Sequence, residues 1–225
     1  MAPFAVGSRV LDLGAGEGYV APSLAALRGG WVCSCDVGPF RRTPGAYVVY
    51  DGARLPFCDG AFDTTFLLLT LHHCDDAERV LDEALRVTRH RLIVTESVFR
   101  HRLDRFWLHL LDGRLNARRH GGAMNVPLAF RTPDAWRALF ASRGLRLIEM
   151  RWLGSRWERL IHHPVLFALE ISVDHPEARE VRLSTAARST RSRSAGVWAS
   201  ETKAASNCEG ARYTPRSSMA WKNRP

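Results

Sequence analysis

Lysine is almost missing from this sequence: Lys203 and Lys222 are the only two, against 32 Lys+Arg in all. The net charge of +9 is therefore carried by arginine, which fits genome composition as well as it fits a ligand. Cysteine is scarce and unpaired in pattern. The five residues include no C-x-x-C spacing, which excludes a disulfide framework and a structural zinc site as the organising principle. No apolar run reaches the roughly 18 residues of a membrane-spanning helix. The opening MAPFAVGSRV has no basic segment leading into an apolar one, so no secretory signal is expected. A reducing, cytoplasmic compartment is the expectation. At 225 residues with 46% hydrophobic and 24% charged side chains, the chain has the composition of a soluble domain able to bury a sizeable core.

The charge is uneven. Residues 175–225 hold 10 Lys+Arg against 4 Asp+Glu, which leaves 22 against 19 in residues 1–174. A body this mildly basic, with no stripe of basic residues interleaved with aromatics, does not point to nucleic acid. Residues 175–225 are rich in Ser, Thr and Arg and poor in large aliphatics, so they are read as a disordered basic tail behind a domain spanning 1–174. There is no internal repeat.

Short apolar runs near residues 10, 32, 48, 66 and 93 alternate with helical or loop segments, and a last pair covers 145–153 and 165–173. That rhythm predicts an α/β fold: a Rossmann-like, mostly parallel seven-stranded sheet with helices on both faces. The fourth strand is read from Phe62 to Leu71. Helices are expected at Val20–Leu27, Asp75–Val87 and Pro133–Arg143. Another runs from Phe99 to Leu111, either packed on the sheet or serving as a lid or membrane-surface helix.

Arg9 to Leu13 runs into Gly14, Ala15, Gly16, Glu17 and Gly18 and then into a helix. A strand, a glycine turn and a helix start present backbone N–H groups to a nucleotide-like ligand. The dinucleotide fingerprint needs its third glycine at the position held here by Tyr19. Asp12 and Glu17 add carboxylates beside the turn. Those are hostile to a pyrophosphate and suited to a ligand with a cationic amino-acid end.

These residues resemble the class I S-adenosylmethionine-dependent methyltransferases. Val10 to Gly18 (VLDLGAGEG) looks like the first motif of that family. Asp36, closing the second strand, resembles the acid that holds the cofactor ribose. Asp51 to Phe57 (DGARLPF) with Asp59 to Asp63 (DGAFD) is similar to a stretch of the small-molecule, type 11 branch, where the acid matching Asp51 meets the adenine amino group. Leu71 to Asp76 (LHHCDD) resembles the segment that ends the fourth strand there. The resemblance implies S-adenosyl-L-methionine as cofactor. It would be held by Asp12, Gly14, Ala15, Gly16, Glu17, Gly18, Asp36, Asp51, Gly52, Ala53 and Leu68, with no metal.

Transfer from a sulfonium needs alignment more than a nucleophile, so the motifs name the cofactor and leave the acceptor open. A small, partly apolar organic acceptor is expected, covered by residues 98–132. His72 and His73 are the catalytic candidates. As neighbours on a strand, only one of them could face the cofactor. Asp112, Asn116 and His120 would share one helix face, either against the acceptor or against solvent. Membrane-surface contact and oligomeric state stay open. The chain departs from the family in having eight residues before the first strand and a Pro/Gly loop in place of the second crossover helix. Two alternatives therefore stand beside the enzyme: a weakened methyltransferase-fold scaffold and an RNA methyltransferase. Cys33 and Cys35 share one strand face and read as core thiols.

Overall fold

A computed structural model describes residues 2–101, 103–110, 128–154 and 163–171. Within them the chain order is β1 (Arg9–Leu13), α1 (Val20–Arg28), β2 (Trp31–Asp36), β3 (Ala46–Val49), β4 (Phe62–Leu68), α2 (Ala77–Val87) and β5 (Thr88–Ser97). There follow α3 at residues 103–110, α4 (Pro133–Ser142), β6 (Leu145–Trp152) and β7 (Pro164–Ile171). Single turns of 3-10 helix cover Ala2–Phe4 and Leu71–His73. Asp112, Asn116, His120 and the segment 175–225 lie outside the described residues.

The strands form one sheet in the order β3-β2-β1-β4-β5-β7-β6. The first five are parallel, and β7 runs antiparallel to both β5 and β6. The Rossmann-like, mostly parallel seven-stranded sheet is therefore present. Alternation along β1 builds the two layers. Leu11 and Leu13 face a core with Cys33, Cys35, Leu67, α2 and α4. Val10 faces a smaller core with Val32, Phe66, Ile93 and α1. Helices thus cover both faces, as the near-continuous apolar runs predict. The two thiols are core groups, with Cys33 pushed up to about 11 and Cys35 to about 12 by burial first and by neighbouring acidic groups second.

Helix starts follow side-chain chemistry. Asp76 accepts from Arg79 N at 3.0 Å, so α2 begins at Ala77, not at Asp75, with Asp76 as its cap. Thr132 Oγ1 accepts from Ala135 N at 3.2 Å with Pro133 in the first turn of α4. The fourth strand is shorter than its apolar run suggests. It stops at Leu68, because Leu69 takes a left-handed backbone (φ 56°) and Leu71–His73 turns away. Hydrophobicity marked the buried segment but carries no information on a backbone reversal inside it.

Asp63 fastens the start of β1 to β4. Its Oδ2 accepts from Ser8 N and Arg9 N, both at 3.0 Å, and its Oδ1 from Arg9 Nη2 at 3.3 Å. Burial alone would raise its pKa; the hydrogen bonds from Arg9 and Ser8 outweigh that and hold it below the usual 3.8. The stability Asp63 contributes is therefore complete above the usual carboxylate range and lost as pH falls through the lowered value. Asp63→Ala should destabilise the protein by about 2 kcal/mol at pH 7, with a smaller difference below pH 3. Denaturant titration at the two pH values measures both.

Arg86 organises the stretch between β3 and β4. It donates to Leu55 O (3.0 Å), Phe57 O (2.8 Å) and Asp59 Oδ1 (2.7 Å), and pairs with Glu83. Leu55 is buried in the main core. The L-P-F-x-D pattern is thus a clamp that sets where Asp51 lies. Among the described residues, no helix is long and apolar enough to cross a membrane.

Candidate functional site

The strand order reverses between β1 and β4, which leave the sheet centre in opposite directions along the chain. Ligands of open α/β sheets sit at the carboxyl ends of the strands beside such a reversal. Gly14–Gly18 follows β1, Asp36 ends β2, Asp51 follows β3 and Leu68 ends β4. The fold thus gathers the acids and glycines of the sequence reading along one end of the sheet.

Asp12 lies one residue before the end of β1, on the face of Val10 and α1, with 1% of its surface exposed. Its Oδ2 is buried and has no hydrogen-bond partner among the described residues. Burial first, and the charge of Asp36 second, raise its pKa from the usual 3.8 to about 7. A carboxyl group in this condition is short of a cation.

The glycine turn folds over the end of β2. Gly14 N and Ala15 N donate to Cys35 O at 2.8 and 3.2 Å. Gly14 has φ +74°, and a Cβ there would stand 2.2 Å from Thr70 Cγ2, so only glycine fits between β1 and the end of β4. Gly16, at φ +53°, faces open space: a Cβ would meet nothing within 4 Å. The first turn of α1 has no acidic residue and no side-chain cap, so the N–H groups of Val20 and Ala21 stay available to a ligand, Pro22 having none.

Asp36 is mostly buried. Its Oδ2 accepts from Gly16 N at 2.6 Å and its Oδ1 from Val37 N at 2.7 Å. Each carboxylate oxygen has two acceptor sites, so these bonds aim the group and leave capacity for hydroxyl donors. Asp51 Oδ1 accepts from Ala53 N and Arg54 N at 2.8 and 2.9 Å and shapes the turn through Gly52. Glu17 is turned towards Arg42, with its Oε1 3.2 Å from Arg42 Nε.

The sequence reading missed what holds the turn. The β2–β3 connection has no helix, and it folds back on the glycine turn. Thr43 Oγ1 donates to Gly18 O at 2.7 Å, Arg42 N donates to Glu17 O at 2.9 Å, and Tyr47 Oη lies 3.0 Å from both Gly16 O and Gly38 O. Nothing in the identity of Thr43 or Tyr47 announces this, because it depends on the loop's path.

The two histidines differ from expectation. They stand on the 3-10 turn after β4 rather than on the strand, and their rings lie 3.9 Å apart instead of on opposite faces. His72 is buried, with Nδ1 2.5 Å from Glu96 Oε2 and its ring stacked 4.9 Å from Phe130. Glu96 Oε1 also accepts from Leu71 N at 2.7 Å. Glu96, another strand-end acid, carried the same signal as Asp36 and was not singled out. Among the described residues no cluster of three or more His, Cys, Asp or Glu is placed to hold a metal.

This sheet order, with an acid-flanked glycine turn at its centre, defines the fold of the class I S-adenosylmethionine-dependent methyltransferases. Residues 11–93 match the family model described as "Methyltransferase domain". The chain is similar to the demethylmenaquinone methyltransferase of Beutenbergia cavernae, 43% identical over 99 residues that make up 40% of this chain and 41% of that protein. The corresponding enzyme of Paenarthrobacter aurescens is 34% identical over 114 residues, 47% of this chain and 44% of its own. The chain thus spans less than half the length of these curated relatives. In architecture it resembles the magnesium protoporphyrin IX methyltransferase of Synechocystis PCC 6803, solved with bound SAH. The TM-score is 0.54 at 17% identity, covering 75% of each chain.

Proposed function

We propose that the chain binds S-adenosylmethionine at the ends of β1, β2 and β3 and transfers its methyl group to a small, partly apolar acceptor. The observation that carries this is Asp12: a buried carboxyl oxygen without a partner, beside a glycine whose missing side chain faces open space. The cationic amino end of the cofactor would supply that partner. Asp36 would take the ribose hydroxyls, and Asp51, Gly52 and Ala53 would border the adenine. Gly14 to Gly18 would lie along the amino-acid portion, and Leu68 at the end of β4 would support the reacting end.

When bound, the cofactor supplies a methyl carbon already activated by a positive sulfur. It would thereby offer an acceptor an in-line displacement in which sulfur keeps the carbon–sulfur electron pair. The acceptor proton leaves to water or a nearby base. The protein's share is alignment: a fixed turn, an aimed Asp36 and a charge at Asp12 that holds the amino end still. The similarity to demethylmenaquinone methyltransferases supports an acceptor with an aromatic or quinone-like ring. Asp112, Asn116 and His120 are proposed to border it.

Calorimetric titration with S-adenosylhomocysteine tests the reading, with NAD as comparison. The adenosyl ligand should bind and NAD should not. Asp36→Ala should weaken binding roughly 10- to 100-fold, the worth of about 1.5–3 kcal/mol of charge-assisted hydrogen bonding. Tight binding of NAD without a response to S-adenosylhomocysteine would overturn the proposal.

A further inference from the structure

α3 turns its bulky side chains outward. Leu103, Phe106 and Trp107 are 72%, 59% and 52% exposed, while Leu108 on the other side is buried at 1%. Positions i, i+3 and i+4 lie on one face of a helix. Leu103, Phe106 and Trp107, which the helical spacing could have packed on the sheet, are exposed instead. Scattered exposed apolar residues are ordinary; three large ones side by side on one helix mark a contact surface.

The helix is held firmly in this pose. Asp104 Oδ2 accepts from Arg100 N and His101 N at 3.1 and 3.2 Å and lies 3.7 Å from His163 Nε2. His109 meets the Phe130 ring edge-on at 5.2 Å, and Phe130 stacks on His72. The exposed face therefore belongs to the same end of the sheet as the candidate site.

The charge around the face selects its partner. Arg100, His101 and Arg105 are exposed beside it. Arg100 is held over the Trp152 ring at 4.1 Å and Arg105 over Phe99 at 5.6 Å, by aromatic faces rather than by acids. The one acid among the described residues of 98–110 is Asp104, already engaged as helix cap. An apolar helix face flanked by Arg100 and Arg105, both lying on aromatic rings, complements an anionic lipid surface: aromatic and aliphatic groups enter the headgroup boundary while guanidiniums meet phosphates. A second copy docking by two-fold symmetry would bring like charges together.

We propose that α3 docks this protein on anionic bilayers through Leu103, Phe106 and Trp107, with Arg100 and Arg105 at the rim. The test is co-sedimentation of the full chain with vesicles of phosphatidylglycerol and phosphatidylcholine, against phosphatidylcholine alone. Binding should favour the anionic vesicles. It should fall about tenfold or more in the triple variant Leu103→Ser/Phe106→Ser/Trp107→Ser, whose exposed positions leave the thermal transition in place. Arg100→Gln/Arg105→Gln should flatten its salt dependence. The basic segment 175–225 is intact in every variant. Undiminished binding by the triple variant would therefore assign the attraction to that segment and overturn the proposal. Self-association in sedimentation velocity that the triple variant abolishes, without vesicle binding, would overturn it in favour of a second copy. No methyl transfer enters the readout, so the outcome is independent of the proposed activity.

Discussion

Replacing Glu96 with alanine should remove about 3–5 kcal/mol of folding stability: two buried hydrogen bonds are lost, each at about 1–3 kcal/mol when its partner is left unsatisfied, and the side chain leaves a cavity. Glu96 is fully buried, as is Leu71. Its two oxygens take the Leu71 N–H and the His72 ring nitrogen. Without that side chain both groups stay buried without that acceptor, and a cavity opens in its place. A domain of this size rests on roughly 5–15 kcal/mol in total, so the loss should lower the melting temperature by about 8–15 °C. Glu96→Gln keeps the shape and one acceptor and should lose less than half as much. Thermal and denaturant unfolding of both variants decide the matter. A Glu96→Ala protein within 1 kcal/mol of wild type would show that the pair contributes nothing net.

Cofactor affinity should fall about tenfold for each pH unit below 7, because of Asp12. In the free protein Asp12 titrates near 7, raised by burial and then by Asp36. A cationic amino group placed against it favours the charged form and lowers that value. Binding then expels a proton wherever the free group is still protonated. Release should approach one proton per ligand at pH 6, about half at pH 7 and little at pH 8. Cys33 at about 11 and Cys35 and Tyr47 at about 12 do not titrate in this window. Calorimetry in buffers of different ionisation enthalpy counts the protons, and Asp12→Asn should abolish both the release and the slope. Affinity independent of pH between 5.5 and 7.5 in the wild type would refute the assignment. The same shift acts on the free protein with the opposite sense. The unfolded chain ionises Asp12 first, so stability falls as pH rises from about 4 to 7, then levels off.

The fold was legible because its signals are local. Alternating short apolar runs and Gly14, Gly16 and Gly18 place the strands and the turn without knowledge of the rest. Asp36 was readable as an acid closing an apolar run, and so was Glu96, whose partner 24 positions earlier exists only once β4 and β5 pair in register. Leu69 was illegible in principle: leucine does not favour a left-handed backbone, and tertiary packing imposes it. The path of the β2–β3 loop, which brings Thr43 onto the glycine turn as Tyr47 of β3 reaches it from the sheet, likewise arises from contacts distant in sequence. Helical spacing at 103–110 showed an apolar face, and only the fold reveals that this face points outward.

The placement of β7 between β5 and β6 also fixes the order of birth of the sheet. β6 leaves the ribosome before β7 yet touches the rest of the sheet only through it. Until Ile171 has emerged, β5 is an open edge with a row of unpaired backbone groups and apolar flanks. β6 and β7 must therefore meet as a hairpin and close that edge together. During synthesis the nascent chain passes through a stage with a sticky border. A variant that slows the β6–β7 hairpin would lengthen that stage without changing the finished fold.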